Sequence, residues 1–149
     1  MAKTASLESP EDVLNLSKRY LQNAREMLKR AGVDEDIGAY EDVKYVSSAS
    51  GIAYLAALEA IRALLMEKRG WDASEVEKRT REIGRLRQTL KGLPLGKDID
   101  RLLKLLRDVY NILHLGGYYR RLQSKKAIDD GFEKVERIIR IVEKHISRP

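Results

Sequence analysis

The 149-residue chain has no cysteine, three prolines and only two histidines. Without cysteine, disulfide scaffolds, thiolate zinc sites and cysteine nucleophiles are excluded. With two histidines, a multi-histidine metal centre would need carboxylates or a second subunit, so no metal and no cofactor is expected. Three prolines and ten glycines are too few turn formers for a many-stranded sandwich or barrel. No run approaches the roughly 18 apolar residues of a membrane-spanning helix, and Met1-Ala2-Lys3-Thr4 does not open the apolar core of a signal peptide. The expectation is a cytoplasmic protein with no membrane partner.

What is present is enough for one packed domain over residues 1–149, with 1–8 as a flexible leader. Apolar residues make up 43% and charged residues 35%. The charge is uneven: residues 1–70 carry 10 Lys/Arg against 11 Asp/Glu, and residues 71–149 carry 19 against 12. A basic half of this kind attracts phosphate in a salt-dependent way. A merely solvated surface would look the same, because opposite charges are interleaved along it.

The apolar spacing predicts an all-α, up-and-down bundle of about five helices, at approximately 10–31, 41–69, 74–91, 98–121 and 125–147, with no strand. Ser9-Pro10-Glu11-Asp12 is a helix start, with a hydroxyl cap, Pro at the first position and acids in the first turn. The second helix is apolar on more than one side and therefore central. It contains Ser47-Ser48-Ala49-Ser50-Gly51, which gives up about 2 kcal/mol of helix propensity. Close approach of another helix would offset that; so would a pocket wall of small residues, formed by Ser47 and Ser50 with Tyr54 and Glu59. Ser74 and Glu77 read as a capping box for the third helix. Gly116-Gly117 should weaken or bend the fourth. In the fifth, Ile128, Phe132, Val135, Ile138, Ile139 and Val142 share one face, and His145 sits where the helix dipole favours a cation. Trp71 is expected to plug one end of the bundle.

The densest chemistry lies in the fourth helix. At 100° per residue, Arg107, Tyr110, His114, Tyr118 and Arg121 fall on one narrow face. Arg binds phosphate bidentately, Tyr stacks or donates a hydrogen bond, and His moves protons near neutral pH. That set suits a phosphodiester. The bland alternative makes Tyr110 and His114 core-edge residues. Glu59, among apolar neighbours, is either a carboxylate base of raised pKa or the partner of an arginine. No nucleophile elbow, Walker loop, H-E-x-x-H or Rossmann glycine pattern occurs.

The stretch Ala53-Tyr54-Leu55-Ala56-Ala57-Leu58-Glu59-Ala60-Ile61-Arg62-Ala63-Leu64-Leu65 resembles the long second helix of HEPN bundles (higher eukaryotes and prokaryotes nucleotide-binding). His114 with its aromatic tail resembles their final helix. Tyr20–Glu26, Tyr40–Val46 and Leu113–Tyr119 are similar to a small bacterial family without assigned activity. The HEPN resemblance implies a helical bundle, a homodimer with the motif helices facing a shared cleft, and nucleotide or RNA as ligand. HEPN ribonucleases use R-x4-H; here Val109 stands five before His114, so the motif is broken, and Arg107 is the nearest arginine on that face. The resulting expectation is a non-catalytic domain. The alternative is a degenerate, metal-independent ribonuclease using His114. A reserve reading is a small-molecule catalyst or binder installed on a natural helical scaffold.

Overall fold

The structure, a computed structural model, describes residues 9–146. The leader 1–8 and the last residue of the fifth predicted helix lie outside the described residues. Helix α1 (Pro10–Lys29) starts as its sequence dictates: the Ser9 hydroxyl accepts from the Asp12 N–H at 3.1 Å, with Pro at the first position. It ends two residues earlier than the apolar spacing suggests. Gly32, at φ 69°, then turns the chain into a two-residue antiparallel pair, β1 (Val33–Asp34) and β2 (Ala39–Tyr40).

That pair corrects the expectation of no strand. It is fixed from outside, not by propensity. The Tyr40 N–H donates to the Gln123 carbonyl at 2.8 Å, the Lys125 N–H to Gly38, and the Gln123 amide back to the Tyr40 carbonyl. The Tyr40 hydroxyl donates to Asp129, whose other oxygen takes Lys125. The hairpin is thus a clasp on the start of the last helix.

Helix α2 (Val43–Arg69) is the central rod, capped by Asp42 and closed by left-handed Gly70 at φ 70°. Ala53, Ala56, Ala57, Ala60, Ile61, Ala63, Leu64 and Leu65 are fully buried along it. Its length and composition would suffice to cross a membrane, but 67% of its apolar window is covered by the rest of the protein. The largest interface is with α1, and the buried Ser17 hydroxyl pins it by donating to the Ala56 carbonyl at 2.6 Å.

The single helix expected at 74–91 is two: α3 (Ala73–Arg79) and α4 (Ile83–Lys91). Asp72, not Ser74, caps α3 by accepting from the Glu75 N–H at 2.8 Å. Glu77 instead reaches Arg62 at 3.2 Å. The break follows from Thr80, a β-branched residue whose hydroxyl bonds back to the Val76 carbonyl, with Gly84 close behind. Val76, Leu86 and Leu90 still bury on one seam. Trp71 is half-buried at this end, beneath the guanidinium groups of Arg79 and Arg69.

Helix α5 (Asp98–Val109) does not run on to 121 as an α-helix. From Tyr110 to Tyr119 the chain winds as a π-helix, the π segment. Helix α6 (Lys125–His145) then returns antiparallel, capped by Ser124 and burying the apolar face expected of it. His145 Nε2–H donates to Asp98 Oδ2 at 2.8 Å, joining the end of α6 to the start of α5. Lys144 and Arg101 also reach Asp98, and these contacts, His145 first, hold its carboxyl at about 2, below the ordinary 3.8.

Small residues let the π segment settle. A Cβ on Gly117 would stand 2.1 Å from Ser50 Oγ, and one on Gly131 would stand 2.8 Å from Leu113. Ser50 is fully buried, and among the described residues its hydroxyl has no hydrogen-bond partner. Gly117→Ala should therefore lower stability by about 1–3 kcal/mol, overpacking outweighing the gain in propensity. Ser50→Ala should leave stability unchanged or raise it by up to about 1 kcal/mol, because an orphaned hydroxyl is removed. Urea unfolding of both variants checks this; a stabilised Gly117→Ala protein would contradict it.

Candidate functional site

The π segment and α2 enclose an open groove of about 680 Å³. Its α2 wall is Ser48, Gly51, Tyr54, Leu55 and Leu58; its other wall is Tyr110, His114 and Tyr118; Arg81 and Ile83 close one end. Steps of four along the π segment keep its three ring residues on one side. Gly51 matters because the Tyr118 ring packs against it: a Cβ there would be 3.0 Å from the ring.

The His114 imidazole is the hub of an aromatic array. The Tyr54 ring stacks on it at 4.5 Å between centroids, 27° from parallel. Tyr110 lies at 5.1 Å, and Tyr118 at 6.2 Å and nearly parallel. Tyr119 meets it edge-on at 5.1 Å. These spacings are those of favourable aromatic pairs. Tyr118 and Tyr119 are 47% and 64% exposed, so the array opens to solvent at its outer end.

Burial pushes the His114 imidazole below its ordinary value of 6.5. Burial first, then the proximity of Tyr110, pushes the Tyr54 hydroxyl up to about 12, with Arg62 pulling weakly the other way. At neutral pH the stacked pair at the groove's inner end is thus uncharged, a neutral His114 imidazole on a protonated Tyr54 phenol. Among the described residues, neither nitrogen of His114 has a hydrogen bond or ion pair, so its polar edge is unspent.

The groove gathers Tyr54, Tyr110, His114 and Tyr118, but not the two arginines expected beside them. Arg107 is exposed, 4.0 Å from Asp108 and off the groove. Arg121 follows the π segment in the left-handed region, at φ 59°, and points to solvent. Ser47 is no ligand group, since its hydroxyl donates to the Tyr118 carbonyl at 3.0 Å and fixes the end of the segment. Ser50 faces Gly117, not the groove. Glu59 is paired with Arg62, which also holds Glu77.

Two contributors were hidden in the sequence. Arg81 lies inside the stretch 74–91 expected to be one helix, which in fact breaks, and Thr80 with Gly84 is the available signal. Tyr119 falls outside an α-helical stripe drawn at 100° per residue. Among the described residues, no cluster of three or more His, Asp or Glu side chains could hold a metal ion.

Fold and groove together define an α-helical bundle domain with an aromatic cleft. The chain belongs to a family described as Domain of unknown function (DUF5618), which matches residues 12–144. This agrees with the likeness of Tyr20–Glu26, Tyr40–Val46 and Leu113–Tyr119 to a small uncharacterised family. The fold is similar to that of a protein of unknown function from Dyadobacter fermentans, with a TM-score of 0.73 and 28% identity, covering 93% of this chain and 99% of that one. No curated protein matches.

Because the unfolded chain holds the His114 proton more tightly than the folded one, stability should rise with pH through the window just below 6.5 and fall on acidification across it. An NMR titration should place the His114 midpoint below 6.5, and His114→Phe should flatten that part of the stability profile. A midpoint above 6.5 would contradict the desolvated groove.

Proposed function

We propose that this chain is a non-catalytic, HEPN-like binding domain whose tyrosine–histidine groove takes a planar, base-like group of a nucleotide or of single-stranded RNA. The observation that carries this is the array of Tyr54, Tyr110, His114, Tyr118 and Tyr119 around one open groove. Flat aromatic faces accept any base by stacking. A neutral imidazole with both nitrogens unspent adds a donor and an acceptor for a base edge. Arg81, exposed at the groove's end and 3.9 Å from Glu77, is the cation that meets an attached phosphate.

Cleavage is the weaker reading. Phosphodiester transfer through the 2′-hydroxyl needs charge stabilisation beside the proton-moving group. Arg107 and Arg121 stand off the groove, and Arg81 is held at its far end. Assembly as a homodimer, with two π segments facing a shared cleft, belongs to the same proposal. The exposed Tyr118, Tyr119 and Leu55 would line that shared cleft and stay open to the ligand.

Titration of the protein into labelled single-stranded RNA at several salt concentrations tests the reading. Tyr118→Ala, at an exposed position, should weaken binding about tenfold, since each stacked base contributes about 1–3 kcal/mol. The RNA should stay intact. Metal-free cleavage that vanishes in His114→Ala would overturn the non-catalytic reading, and unchanged binding in Tyr118→Ala would overturn the groove.

A further inference from the structure

The far side of the same rod carries a different chemistry. On α5, Arg101, Lys104 and Asp108 share a stripe, and Tyr110 lies half a turn away from it. Facing this stripe, α6 presents Lys134, Arg137 and Arg140. Together they wall a groove of about 480 Å³ holding five cations and one carboxylate. Its floor is apolar, formed by Leu105 and Ile141.

The cations are only loosely committed to their neighbours. Arg101 meets Asp98 at 3.1 Å, Arg140 meets Glu136 at 2.8 Å, and Arg137 meets Glu133 at 3.9 Å. These three side chains are 57–64% exposed, where such pairs contribute little. Lys104 has no ion pair among the described residues. Asp108, the one acid in the groove, is already met by Lys134 at 3.5 Å, and Lys134 is held by Asp130 as well. An incoming phosphate therefore exchanges weak, solvated pairs for charge-assisted and bidentate ones. Arg101 and Lys104, like Arg137 and Arg140, are about 5 Å apart along their helices, so the groove offers a row of cations on each bank.

We propose that the α5/α6 groove is a phosphate-binding site that takes the phosphodiester backbone of a single nucleic-acid strand. It does not rest on the aromatic groove, which faces the other way. Its recognition is of backbone charge and carries no base sequence.

The probe is a fluorescently labelled abasic deoxyribose-phosphate oligomer, which has no bases to stack and so isolates this site. Lys104→Gln/Arg137→Gln should bind it about tenfold more weakly, with the salt slope reduced by about two contacts. The control pair Arg19→Gln/Lys68→Gln makes the same charge change at exposed positions of α1 and α2 outside the groove. It should lose less than about threefold. Tyr118→Ala should bind the abasic strand as the parent protein does, so failure here is separable from failure of the aromatic groove. Equal losses in the two double variants, or no binding by the parent protein, would overturn the site. Inorganic tripolyphosphate should not displace the strand at equal phosphate; displacement would overturn the assignment to a strand and make the ligand a free polyphosphate.

Discussion

The contact between Ser50 and Gly117 sets the geometry on which the rest of this bundle depends. A buried hydroxyl lies where Gly117 would otherwise carry a methyl group, and that places the π segment against α2 at a distance larger residues forbid. Gly131 does the same from α6, where Leu113 and Ile112 fill the space a side chain would need. The π segment is thus held between two small-residue seats. The Ser-Ser-Ala-Ser-Gly stretch, costly to helix propensity, is explained by this approach. Ser47 supplies the hydrogen bond at the end of the segment, Ser50 and Gly51 the room.

The winding of that segment follows from the same constraint. An α-helix through Gly116-Gly117 has little propensity to defend, and the wider π turn brings Tyr118 over Gly51 and Tyr119 edge-on to His114. One rod then carries two chemistries. Its π half shows an uncharged aromatic face to α2, while its α half shows Arg101 and Lys104 to α6. The clasp of β1 and β2 onto Gln123, Ser124 and Lys125, and the Asp98–His145 contact at the opposite end of α6, hold that helix at both ends.

Much of the fold was legible because long amphipathic periods and caps act locally. Ser9-Pro10 began α1, and Ile128 to Val142 marked the buried face of α6. What was not legible depended on partners far away in sequence. The hairpin at 33–40 exists through bonds to residues 123–125, and no local pattern of alternation announces it. The break at 80–82 hides under an apolar seam that continues across it. The π turn has no composition of its own beyond two glycines. For the same reason the candidate site was half readable. Tyr110, His114 and Tyr118 survive a change of helical pitch because they are four apart. Arg107 sits in the α-helical part before that change and Arg121 beyond the end of the segment, so both drop off the face.

The central claim is that the small-residue seat at Ser50 and Gly117 holds the π segment and, through it, the aromatic array. Ring-to-ring proton contacts observed by NMR in the parent protein and in Gly117→Ala test it most directly. The account predicts cross-peaks from His114 to Tyr54 and Tyr119 in the parent, and their loss or displacement in a variant that still folds. Their absence in the parent, or an identical set in Gly117→Ala, would contradict it.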